Sequence, residues 1–134
     1  MSDGPRARTV LVALGVDVLL VVTFAAIGRA SHAEGILGPG GSGLAQTAWP
    51  FLVGLAAGWL ITRGWRAPTA PLRTGLGVWA VALVGGMLLR AVSGQGVAVA
   101  FVIVAGITLA LFLIGWRALA ALVTRSRRTP TDAS

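Results

Sequence analysis

Residues 9–28 read TVLVALGVDVLLVVTFAAIG, an unbroken apolar run carrying one charge, Asp17, near its middle. A bilayer core of about 30 Å is crossed by about 20 apolar residues in helical form, and this stretch has that length. Hydrophobicity is continuous around it rather than striped, the pattern of a helix embedded in lipid. Three further runs share the character, at about 46–62, 74–90 and 97–116, and none holds a charge before the closing Arg90. The whole chain of 134 residues is 56% hydrophobic and 11% charged. Soluble domains run at about 45–50% and about 25%, so the balance excludes both a solvated globular domain and a disordered chain. With no water in hydrocarbon to satisfy backbone groups, segments of these lengths are helices. The expected fold is all-α: a polytopic transmembrane four-helix bundle, with 1–8 a short N-terminal segment, 9–116 the membrane domain and 117–134 a basic tail.

The connections agree with this division. Residues 29–45 gather Gly35, Gly38, Gly40, Gly41 and Gly43 with Pro39, and residues 63–73 contain Pro68 and Pro71. Both compositions resist regular structure. Ser93-Gly94-Gln95-Gly96 reads as a tight turn, making spans three and four an antiparallel hairpin. Arginine supplies all eleven basic residues, against four acids (Asp3, Asp17, Glu34, Asp132), for a net charge of +7. Nine arginines fall on the side of the termini and two, Arg29 and Arg90, on the other, so both termini are expected in the cytoplasm. Trp65 and Trp116 at that boundary, and Trp49 at the outer one, read as interfacial anchors. Arginines at span edges argue against nucleic-acid binding, which wants them on one soluble face. A cleaved signal peptide is the rival for the first span, with Ser31-His32-Ala33 as its cut. Asp17, Arg29 and an apolar run longer than the usual 7–15 residues weigh against it. Past the fourth span, Leu119, Leu122 and Val123 at helical spacing precede Arg125, Arg127 and Arg128. This tail is expected on an anionic inner leaflet, at about 1 kcal/mol per basic residue. Residues 129–134 read as disordered. Arginine-only basicity with heavy Ala, Gly and Val usage looks like GC-rich coding and hints at an actinobacterial source; the expected location is a bacterial plasma membrane.

The chain also reads as two tandem helical hairpins. Gly28-Arg29 and Leu89-Arg90 close spans one and three, while Gly64-Trp65-Arg66 and Gly115-Trp116-Arg117 follow spans two and four. Parallel repeats of this kind occur among transporters. Gly54 and Gly58 make a GxxxG pair, and Gly85-Gly86 lies in the third span. Such glycines let helix backbones approach closely. Packing within one chain is the expected use, and a homodimer the other.

Asp17 is the residue of greatest interest. An acid at the bilayer centre costs about 2.5–3.5 kcal/mol on insertion scales, so something should compensate it. Arg29 lies twelve residues along the same helix, roughly 18 Å away, and Arg90 roughly 12 Å nearer the outer surface at 1.5 Å per residue. At matched depth Trp79 and Thr108 could donate hydrogen bonds. The functional reading is a proton-titrating carboxyl at a substrate site, and the structural one a buried acid that locks helix packing. At the outer face Arg29, His32, Glu34, Arg90 and Gln95 could converge, either around an anionic solute or as a solvated rim with a local ion pair. One histidine and few acids make no metal constellation. Cysteine is absent, which removes thiolate and redox sites. Phosphate loops, dinucleotide fingerprints and nucleophile–base pairs are missing too. No enzyme activity and no cofactor is expected.

Asp17, the run Phe24-Ala25-Ala26-Ile27-Gly28-Arg29-Ala30-Ser31-His32, Pro50-Phe51-Leu52 with Gly54 and Gly58-Trp59, and Gly86-Met87-Leu88-Leu89-Arg90 resemble the DUF3054 membrane proteins from about residue 9 to 117. The resemblance implies a four-helix bacterial membrane protein and points to Asp17, Arg29, His32 and Arg90. It supplies no reaction. Two functions are weighed. One is a small proton-linked solute transporter working through Asp17, probed by analogy because four short spans with an acid in the first look similar to small multidrug resistance transporters. The other is a non-catalytic scaffold or assembly subunit in which Asp17 is structural. The substrate of the first and the protein partners of the second are unspecified.

Overall fold

The computed structural model describes residues 3–31, 40 and 42–128. The helices are α1 (Asp3–Ser31), α2 (Ser42–Thr62), α3 (Leu76–Val92), α4 (Val99–Leu109) and α5 (Gly115–Arg128). A 3₁₀ turn, Gly64–Arg66, follows α2, and a π turn, Pro71–Gly75, leads into α3. A second π turn, Ala110–Ile114, joins α4 to α5 without a break, so the fourth crossing is one long helical rod. Among the described residues, four helical stretches are long and apolar enough to cross a membrane: Arg6–Ala30, Ser42–Thr62, Pro71–Val92 and Val99–Arg127. They form a four-helix bundle, as the apolar runs imply. One boundary differs in a way that matters: the rod continues well past residue 116, so Arg117 lies inside a helix rather than at the start of a tail.

The start of α1, residues 63–75 and α5 share one end of the bundle, called here the terminal end. The last turns of α1 and α3 and the 93–96 turn share the far end. Arg63 stops α2 by adopting a left-handed conformation (φ 53°), and the prolines that follow redirect the chain.

The closest packing is between α2 and α3. A Cβ on Gly54 would lie 2.8 Å from the Ala82 carbonyl oxygen, and one on Gly58 would lie 3.1 Å from Val78 Cα. A Cβ on Gly86 would enter the Phe51 ring. The glycines at 54, 58 and 86 therefore remove side chains where two backbones or a ring must fit. They serve contacts within one chain. Beside this seam Phe24, Phe51 and Phe101 form an aromatic cluster with ring centroids 5.1–6.3 Å apart. Among the described residues of α1 a narrow strip is buried, Ala13, Asp17, Val21 and Phe24 at intervals of four, four and three, with Ala25 beside the last. Many other large apolar side chains of α1 and of the fourth rod, among them Leu11, Leu19, Ile107 and Leu111, face outward. Exposed apolar surface on that scale suits lipid rather than water.

Candidate functional site

The buried strip of α1 brings Asp17 against the fourth rod and the end of α2. Its carboxylate and the Arg117 guanidinium are both 0% exposed and meet as a fork: Nη1 donates to Oδ1 at 2.9 Å, Nη2 to Oδ2 at 2.6 Å. Two indoles complete the shell. Trp116 Nε1 donates to Oδ1 and Trp59 Nε1 to Oδ2, each at 2.8 Å. Each carboxylate oxygen thus accepts two N–H donors, and bidentate charge-assisted bonds of this kind are the strong ones. The guanidinium is held equally well on its other edges. Nε donates to the Pro68 carbonyl and Nη1 to the Leu113 carbonyl, at 2.8 and 2.9 Å. Its centre lies 4.9 Å from the Trp116 ring and 6.0 Å from the Trp59 ring, within cation–π range.

Local structure explains how Arg117 comes to lie here. Ala105, Leu109, Leu113 and Arg117 are all fully buried at a spacing of four. In an α-helix four residues advance about 400°, so three such steps drift about 120° off one face. The wider π turn between 110 and 114 takes up that drift and keeps Arg117 on the core side. Helical side chains also lean toward the helix N-terminus. Arg117 therefore reaches back over the turn of Leu113, deeper into the bundle, while Asp17 on the antiparallel α1 leans toward the terminal end. The two tilts close the gap along the bundle axis. The 67–75 segment folds beneath them. Thr74 Oγ1 donates to the Ala67 carbonyl, Pro68 supplies its oxygen, and Gly75 leaves room for the Arg117 stem, where a Cβ would stand 3.1 Å from Cδ.

This corrects the residues expected around Asp17. Trp79 Nε1 donates to the Gly106 carbonyl at 2.9 Å, tying α3 to α4, and Thr108 is half-buried on α4. Neither is among the four donors to the carboxylate. The rejection of Arg29 and Arg90 as ion-pair partners stands, since both lie at the far end. The missed residues are Arg117, assigned to the tail, Trp116, assigned to an interfacial belt, and Trp59. A signal was present: Gly-Trp-Arg occurs twice, and one arginine was needed for the buried acid. The two copies differ, because Trp65 and Arg66 are exposed on a 3₁₀ turn while Trp116 and Arg117 continue a helix.

At the far end Arg29, Arg90 and Gln95 line one cavity of about 740 Å³, together with Gln46, Thr47 and Phe101. Arg29 donates to the Thr47 hydroxyl at 3.4 Å. Arg90 donates to the Gln95 side-chain oxygen at 3.1 Å and to the Gly96 carbonyl at 3.2 Å, with its centre 4.3 Å above the Phe101 ring. His32 and Glu34, expected in the same group, lie outside the described residues.

A four-helix bundle of apolar helices around one buried ion pair fits a multi-pass membrane protein. The model of the family described as "Protein of unknown function (DUF3054)" matches residues 14–120, and the chain belongs to that family. Neither the curated proteins nor the solved structures contain a match.

Proposed function

We propose that this chain is a multi-pass protein of a bacterial plasma membrane that acts as a non-catalytic assembly subunit, with Asp17 as a structural acid rather than a proton carrier. The observation behind it is the complete shell of the Asp17 carboxylate, two donors on each oxygen, with Arg117 itself anchored on two backbone carbonyls. A carboxyl that binds and releases protons in each cycle needs an acceptor for its O–H and a route to water. Four N–H groups aimed at two oxygens leave neither, and cycling would strip Arg117 of its counter-charge in a medium where that is costly.

Both termini lie in the cytoplasm on this reading. With Arg117 withdrawn into the bundle, eight of the other ten arginines still stand at the terminal end. α5 carries the rod out through the inner interface, its exposed Leu119, Leu122 and Val123 at interfacial depth and its last arginines among anionic headgroups.

The test compares proton flux with stability. The full chain in liposomes carrying a pH-sensitive dye is expected to pass no protein-dependent protons under an imposed gradient, and Asp17→Asn is expected to lower its unfolding temperature in detergent. Solute-coupled proton flux abolished by Asp17→Asn, in a variant as stable as the wild type, would overturn the assignment.

A further inference from the structure

We infer that the groove between the 67–71 segment and α5 seats one anionic phospholipid, drawn there by the arginines around the terminal end. This rests on the membrane placement given above and not on the role of Asp17. The groove encloses about 760 Å³, within the roughly 300–1,000 Å³ common for ligand pockets. One wall is formed by Ala70 and Pro71, the other by Ala118, Ala121 and Leu122 of α5. Thr69, Thr124 and Arg125 also line it and supply its polar groups. The 21 residues of α2 extend roughly 31 Å at 1.5 Å per residue, about the depth of a hydrocarbon core. Residues 67–71 follow soon after its end, and the bond from Arg117 to the Pro68 carbonyl keeps α5 beside them. The groove therefore lies at headgroup level, where phosphates and the first acyl carbons are the surroundings.

The charge at this end does not depend on any single pairing. Arg6, Arg8, Arg63, Arg66, Arg73, Arg125 and Arg127 are exposed side chains of the terminal end. Of the four acids in the chain, Asp17 is taken by Arg117, which leaves three side-chain carboxylates, Asp3, Glu34 and Asp132. Even with all three set against these seven arginines, a net charge of at least +4 stands here. Cations at a leaflet surface attract anionic headgroups, and the guanidinium fork matches phosphate oxygens with paired hydrogen bonds. An acidic soluble peptide would meet the same charge, but the surface between the arginines is apolar. Trp65 and Leu72 are exposed next in sequence to Arg66 and Arg73, and exposed Leu119, Leu122 and Val123 precede Arg125 and Arg127. An amphiphile satisfies both surfaces at once, with its phosphate among the arginines and its acyl chains against the apolar groove walls.

The test uses the full chain in phosphatidylcholine nanodiscs with increasing phosphatidylglycerol, and native mass spectrometry counts the lipids that stay bound. One phosphatidylglycerol per chain is expected to be retained, preferred at least about fivefold over phosphatidylcholine. Arg66→Gln/Arg73→Gln, at two exposed positions, should weaken that retention at least about tenfold through the loss of two interfacial charges. Ala121→Trp, which fills the groove from an exposed position and leaves every charge in place, should abolish it. Val92→Trp, equally bulky and exposed at the far end, should change nothing. Equal retention of the two lipids overturns the inference, and stoichiometric binding of an added polyglutamate peptide would then assign the surface to an acidic protein segment. Retention unchanged in Ala121→Trp also overturns it, since the attraction would belong to the leaflet as a whole. So does a pair of chains in place of the lipid, lost in Ala121→Trp, which would give the groove to a second copy. Failure of the chain to enter nanodiscs would refute the membrane placement and the inference with it, a result separate from all of these.

Discussion

Asp17 and Arg117 depend on each other, and their energetics are asymmetric. Removing one partner leaves a desolvated charge, which costs about 3–5 kcal/mol, whereas replacing both with apolar groups of similar volume is often close to neutral. Arg117→Gln is therefore expected to destabilise the bundle by about that amount in denaturant unfolding from detergent micelles. The double variant Asp17→Leu/Arg117→Leu should recover most of the loss. Additive losses in the double variant would show that the two side chains do not act as a pair. Asp17 stood out in the sequence because an acid inside an apolar run needs compensation. Its partner did not, since depth counted residue by residue along straight helices sets Arg117 at the membrane edge. The side-chain tilt and the π turn that bring it inward are not visible in the order of residues.

Among the elements, α2 and α3 carry the tightest fit. A methyl group at Gly54 would press on the Ala82 backbone, and overpacking of this kind typically costs about 1–3 kcal/mol. Gly15, on the outer side of α1, and Gly115, at the start of α5, have nothing within 4 Å of an added Cβ. Gly54→Ala should thus lower the unfolding temperature, while Gly15→Ala and Gly115→Ala should be neutral or raise stability by up to about 1 kcal/mol through helix propensity. Equal effects at all three positions would refute the assignment of the close contact to α2 and α3. The GxxxG spacing announced a close helix approach in advance. Which helix approaches, and that it belongs to the same chain, required the three-dimensional arrangement.

For the whole molecule, the proposed orientation makes a prediction suited to this cysteine-free chain. Single cysteines at Ser93, on the exposed far-end turn, and at Ser126, on the exposed end of α5, should react from opposite sides of an intact cell membrane. An impermeant maleimide is expected to label Ser93→Cys in whole cells and Ser126→Cys only after lysis. The reverse pattern would invert the topology, and equal labelling would indicate two orientations.

Apolar run length and the positions of glycine and proline were enough to predict four helices, because both the bilayer and the backbone impose their conditions locally along the chain. The far-end arginines were legible for the same reason, as charges placed at helix ends. The pairing of Asp17 was different in kind. It joins residues one hundred positions apart through a π turn, two opposed side-chain tilts and a loop carbonyl. The repeated Gly-Trp-Arg shows the difference most directly, since the same three residues become a 3₁₀ turn with exposed Trp65 and Arg66 at 64–66 and part of a buried ion-pair site at 115–117. Only the packing of α1 against the fourth rod gave the second copy an acid to meet, because the energy of that contact depends on burial and not on local sequence.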